Sequence, residues 1–210
     1  MKKRNNNNWI FTISIILTAI VMAFLSFVPV SIEFIKPFIV YFDPTKLLSN
    51  LPLWIFINGI IALYSHSEKT ATLNTTLFNI VCFVSYCLFS IILTHTMPKE
   101  MFLTWIVFTL IWTIFSYLVW SANRQDTKGW ILSTILLAIL FSTCFTYTDN
   151  TISSTTILNF LLYVFLVVVL YKGTKETLII VILSIILALI LSKIKIQIIC
   201  SIVKLNPIEK

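Results

Sequence analysis

The chain has 210 residues, of which 59% are hydrophobic and 11% charged, with a formal net charge of +7 and a mean hydropathy of +0.99. A soluble domain carries about a quarter charged residues, so this composition excludes a water-soluble enzyme, a disordered chain and a disulfide-built secreted scaffold. At about 20 residues per crossing plus short connections, the length predicts an all-α, polytopic transmembrane helical bundle of about seven spans, six to eight being compatible, in a single integral membrane domain.

In chain order, Met1-Lys2-Lys3-Arg4 and four asparagines precede a first span at about residues 9–28. Its apolar run is too long for a signal-peptide core and ends in Phe27-Val28-Pro29, so it reads as an uncleaved signal anchor. Residues 31–46 mix Glu33, Lys36, Pro37, Asp43 and Pro44 with Phe34, Ile35, Phe38 and Tyr41. That mixture is too polar to span and too apolar for a free loop, and predicts an interfacial segment. The second span runs over about 47–64, broken near its start by Pro52, and Ser65 to Lys69 turns the chain back. The third covers about 72–93, the fourth 102–120, the fifth 130–145, the sixth 157–171 and the seventh 177–192. Lys193 and Lys195 interrupt the last apolar run, and we expect one long final helix whose lysines snorkel outward.

Orientation follows from the basic residues. With the N-terminus cytoplasmic, the inner loops carry Lys2, Lys3, Arg4, Lys69, Arg124, Lys128, Lys172 and Lys175, against Lys36, Lys46 and Lys99 outside before the tail. This asymmetry predicts the N-terminus inside, although Lys193, Lys195, Lys204 and Lys210 bring the outer count close to the inner one. Trp9, Trp54, Trp105, Trp120 and Trp130 fall near span ends as an aromatic belt requires, and Trp112 alone sits mid-span. With the basic residues placed between apolar runs, lipid headgroups rather than nucleic acid are their expected partners.

The interior of the spans is the informative region. No Asp, Glu, Lys, Arg or His falls in the central part of any predicted span, whereas ion-coupled carriers, intramembrane proteases and voltage sensors place charge there. His66 and His95 lie in short loops on opposite sides. No serine has a partner base at helical spacing, and three glycines make no phosphate loop. The four cysteines, Cys82, Cys87, Cys144 and Cys200, lie in apolar stretches without a CxxC pair, so neither a disulfide nor a metal site is expected. The sequence therefore predicts no catalytic, cofactor-binding or metal residue, and no enzyme.

Neutral polarity remains. Thr75, Asn79, Cys82, Tyr86 and Ser90 are spaced to share one face of the third span, and Thr109, Thr113 and Ser116 do so on the fourth, with Trp120 continuing that series and Asn58 and Gly59 midway along the second. Such faces either line a polar cavity or hydrogen-bond between helices and hold the bundle together. Thr134, Ala138 and Ser142 on the fifth span, Ser184, Ala188 and Ser192 on the seventh, and Ala19 and Ala23 on the first form small-residue faces of the kind that let helix backbones approach. No internal repeat of the inverted-transporter kind is visible.

Between Leu51 and about Leu191 stand Leu53-Trp54, Ala62-Leu63-Tyr64-Ser65, Leu73-Asn74, Leu77-Phe78, and Trp120 followed by Lys128-Gly129-Trp130. On these residues the chain resembles a family of small uncharacterised polytopic membrane proteins of Gram-positive bacteria. The resemblance implies fold and location alone, a multi-pass protein of the bacterial cytoplasmic membrane. Two functional readings follow from the residues. One is a structural, accessory or partner-binding membrane subunit, whose partners are the lipid bilayer and other membrane subunits or a second copy. The other is a permease-like or substrate-binding subunit for a neutral or lipidic solute.

Overall fold

The computed structural model describes residues 8–27, 51–144 and 154–205, with side chains described at 9–27, 51–143, 157–191 and 193. The predicted interfacial segment 31–46 lies outside the described residues. Among the described residues the fold is all-helical, with seven helices and no strand. They are α1 (Asn8–Leu25), α2 (Leu51–Tyr64), α3 (Glu68–Thr94), α4 (Met101–Ala122), α5 (Thr127–Cys144), α6 (Ser154–Val169) and α7 (Thr174–Leu205). The 27 residues of α3, the 22 of α4 and the first 18 of α7 are long and apolar enough to cross a membrane, and the other four helices are shorter and apolar.

Local chemistry sets the helix ends. Ser67 caps α3 reciprocally with Thr70: the Thr70 N–H donates to Ser67 Oγ at 3.2 Å and the Ser67 N–H to Thr70 Oγ1 at 2.7 Å. This cap draws Glu68 and Lys69 into the first turn, so α3 begins four residues earlier than the apolar run. At its other end His95 adopts the left-handed conformation (φ 54°), and its N–H donates to the Ile91 carbonyl at 3.1 Å. In the same way Asp126 Oδ1 accepts from the Gly129 N–H at 2.8 Å and starts α5 at Thr127 rather than at Trp130. Pro52 does not break α2. It lies in the first turn, where a missing N–H leaves no intrahelical bond unmade. Similarly, α7 runs unbroken past Lys193 and Lys195 to Leu205.

The helices cluster into two compact units, Met1–Asn123 and Arg124–Lys210, where composition alone reads as one domain. In the first unit α1 runs parallel to α3, with Thr12 against Asn74, Phe24 against Phe89 and Phe27 against Tyr86. The α2–α3 pair is an antiparallel hairpin linked at Asn58–Asn79 and Ser65–Asn74. Helix α4 returns antiparallel to α3, as Phe83–Phe102 and Thr76–Thr113 require. The start of α1, the α2–α3 turn and the end of α4 thus share one end of this unit. The end of α1, the start of α2 and the α3–α4 loop share the other. Its core joins Ile15, Ala19 and Ala23 of α1 to Ile61, Phe78 and Cys82, and Trp54 meets Trp105 edge-on at 5.2 Å beside it.

In the second unit α5 packs mainly on α7, and α6 lies against α5. Ala138 and Ala188 are buried on the α5 and α7 helices, so their small side chains admit close approach. The starts of α5 and α7 are at the same end, tied by the Lys172 ammonium donating to the Arg124 carbonyl at 2.6 Å.

Candidate functional site

In a bilayer, lipid tails are as apolar as leucine, so helix association relies on close packing and interhelical hydrogen bonds rather than on hydrophobic burial. Buried polar side chains are therefore where this fold has its chemistry. Within the first unit they form a mid-helix amide pair and a clamp at one end.

The amide pair joins α2 to α3. The Asn79 Nδ2 donates to Asn58 Oδ1 at 2.9 Å, and Asn58 Nδ2 donates onward to the Trp54 carbonyl at 3.0 Å. Both asparagines are fully buried, and Asn79 Oδ1 has no hydrogen-bond partner among the described residues. Polarisation runs along this chain of amides and leaves its acceptor end at that oxygen.

The clamp binds four helices. Thr12 Oγ1 donates to Asn74 Oδ1 at 3.4 Å, Asn74 Nδ2 donates to Ser65 Oγ at 3.1 Å, and Ser65 Oγ donates to the Ile61 carbonyl at 2.7 Å. The Trp120 indole N–H completes it, donating to the Ser65 carbonyl at 3.0 Å. At the start of α3, the Glu68 carboxylate lies beside the Tyr117 phenol of α4.

The remaining sequence-predicted residues separate into several roles. Thr75 Oγ1 donates to the Ala71 carbonyl, Ser116 Oγ to that of Thr113, Thr134 Oγ1 to that of Trp130, and Ser142 Oγ to that of Ile139. Each bond returns to its own helix, the usual recourse of a hydroxyl in a helix interior. Thr113 also meets Thr76 of α3 at 2.8 Å, and the Thr109 carbonyl accepts from Thr113 Oγ1. Tyr86 stacks its ring on Phe27 at 4.8 Å, and Ser90 Oγ donates to the Thr96 carbonyl in the following loop. Cys82 is a buried free thiol. In the second unit Ser184 meets the Tyr163 hydroxyl at 3.0 Å across α6 and α7. Ser192 belongs to α7, with its side chain outside those described.

The α3 and α4 faces thus do not converge on one centre. Asn58 is brought to Asn79, and Thr113 to Thr76, while the other hydroxyls serve their own helices or a loop. Sequence reasoning assigns Thr12, Ser65, Asn74 and Tyr163 no hydrogen-bonding role, although Ser65 and Asn74 stand among the residues that carry the resemblance, and it places Trp120 in the aromatic belt and at the end of the α4 polar face without a partner. The available signals were an asparagine in the second turn of α3 and an indole N–H that needs a partner when it is not in water.

Among the described residues, charge lies at helix ends and in loops except for Lys193, which is exposed within α7. The best defined group lies in the second unit, where Arg124 pairs with Asp126 at 3.0 Å. The Gly129 N–H, aided by Arg124 and Lys128, outweighs partial desolvation and holds the Asp126 carboxyl below the usual carboxylate range. Burial lowers the Lys172 ammonium from its ordinary value against the opposing pull of Asp126 and Glu176. No three His, Cys, Asp or Glu side chains among the described residues are grouped to hold a metal ion. No protein family, curated protein or solved structure matches the chain.

Proposed function

We propose that this protein is a partner-binding or structural subunit of a bacterial cytoplasmic membrane, crossing it seven times with its N-terminus inside, and that it performs no enzymatic chemistry. The observation that carries the reading is how the interior polar groups are used. Amides and hydroxyls of α2, α3 and α4 bond helix to helix or back to their own backbone, and within α1 to α6 the described charged side chains keep to helix ends and loops. Such an interior favours a defined arrangement of helices over ion coupling or acid–base chemistry. The broad apolar surface left on α4, including Leu103, Ile106, Leu110 and Ile114, suits lipid or another membrane helix. Affinity capture of the full chain from its native membrane in mild detergent should recover a stoichiometric membrane partner or a second copy. Recovery of the monomer alone under every growth condition would sink the proposal.

A second reading rests on the unpartnered Asn79 Oδ1, which fits a permease-like subunit that holds a neutral or lipidic solute. Asn79→Ala and Tyr86→Leu discriminate the two. Lost solute uptake at normal membrane levels supports transport, and lost folding returns both residues to packing.

A further inference from the structure

The amide orientations at Asn58 and Asn79 are fixed by their bonds. Turning the Asn79 amide over would set its oxygen against Asn58 Oδ1, two acceptors 2.9 Å apart. Turning both over would instead set Asn58 Oδ1 against the Trp54 carbonyl at 3.0 Å, again acceptor on acceptor. The unpartnered atom is therefore an acceptor, fully buried near the middle of α3 and at the polarised end of an amide chain. A carbonyl in that position retains its affinity for a donor because the apolar surroundings cannot supply one. The same face of α3 carries Thr75 four residues before and Cys82 three residues after, both buried and both able to make a further polar contact.

We infer that Asn79 Oδ1 accepts a hydrogen bond from a neutral O–H group, that of a water molecule or of a small alcohol, bound between α2 and α3. A neutral donor fits because no ionisable carboxylate, amine or imidazole lies in the central turns of α2 or α3 to balance a charge. A single water is the smallest guest that satisfies an otherwise unpaired buried acceptor. The inference does not require the partner-binding reading; it uses the same oxygen as the solute-binding reading, which an alcohol guest would support and a water guest would not.

The test uses the full chain, isotope-labelled at asparagine, in lipid bilayers, with magnetisation transferred from water to the asparagine side chains. The Asn79 signal is identified by its loss in Asn79→Leu, or in Asn79→Asp if the leucine variant does not fold, and the exposed Asn123 is the hydrated control. Transfer to Asn79 is expected and identifies water as the guest. Replacement of that transfer by cross-peaks from added 1-butanol identifies an alcohol hydroxyl at the same acceptor. Absence of both, with Asn123 still hydrated, overturns the inference.

Discussion

At the scale of single residues, the two asparagines differ in what their removal leaves behind. Asn58→Leu deprives Asn79 Nδ2 of its acceptor and leaves a fully buried amide with neither end bonded within the protein. Asn79→Leu strands only Asn58 Oδ1 and removes the unpartnered oxygen at the same time. An unsatisfied buried polar group costs about 1–3 kcal/mol, so each single variant should destabilise the full chain by about that much. The double variant should cost less than the two singles together, by about 0.5–2 kcal/mol, the range of interhelical hydrogen bonds in bilayers. Unfolding in mixed micelles followed by circular dichroism measures all three, and additive losses would refute the pairing. Asn58 and Asn79 were legible in the sequence because an amide inside an apolar run has few uses. Spacing assigned each to a face but not to a neighbour, since the helix opposite is a tertiary fact. Trp120 shows the limit: its partner is the Ser65 carbonyl, 55 positions away, and no local pattern encodes that contact.

At the scale of elements, two of the three glycines lie within helices and have opposite surroundings. A Cβ on Gly129 would overlap the Arg124 carbonyl oxygen and stand 2.9 Å from the Lys172 ammonium. The backbone of the Asn123–Asp126 turn must move to admit it, so Gly129→Ala should cost about 2 kcal/mol or more despite alanine's better helix propensity. Around Gly59 no described atom lies within 4 Å of the same construction, and Gly59→Ala should stabilise α2 by up to about 1 kcal/mol. Thermal unfolding of the two variants should move in opposite directions, and parallel shifts would contradict this account of the α5 start. The same turn gives a pH dependence. Because folding depresses the Asp126 pKa, its contribution is fully present above the ordinary carboxylate value and is lost as pH falls through the folded one. Asp126→Asn keeps a capping oxygen and removes the titration, so the variant's stability should fall less steeply on acidification than that of the parent. Identical acid limbs would show that this carboxylate is not linked to folding. The apolar runs located the helices, but their starts at Glu68, Thr127 and Thr174 lie three or four residues earlier. Caps and first turns are polar and leave no mark on hydropathy.

At the scale of the whole molecule, the all-helical class followed from composition, because an 11% charged chain with long apolar runs satisfies its backbone within helices. The division at Asn123 and Arg124 did not, since both units share one composition and the joining loop resembles the others in length. Packing within the first unit constrains topology further than the basic-residue count does. The α2–α3 turn and the end of α4 lie at one end, and the α3–α4 loop at the other. If these helices cross a bilayer, single cysteines at the exposed positions His66 and Asn123 should label from one side and a cysteine at Lys99 from the opposite side. The excess of basic residues on the first side predicts that it is cytoplasmic. The experiment requires a parent in which Cys82, Cys87, Cys144 and Cys200 are replaced, with an impermeant maleimide applied to intact cells and to inverted vesicles. Labelling of His66→Cys and Lys99→Cys from the same side would overturn the antiparallel crossing of α3. If the chain crosses seven times with its N-terminus inside, its tail lies outside and Lys210→Cys should react in intact cells; reaction only in inverted vesicles would mean an even number of crossings, with the final basic run on the cytoplasmic side.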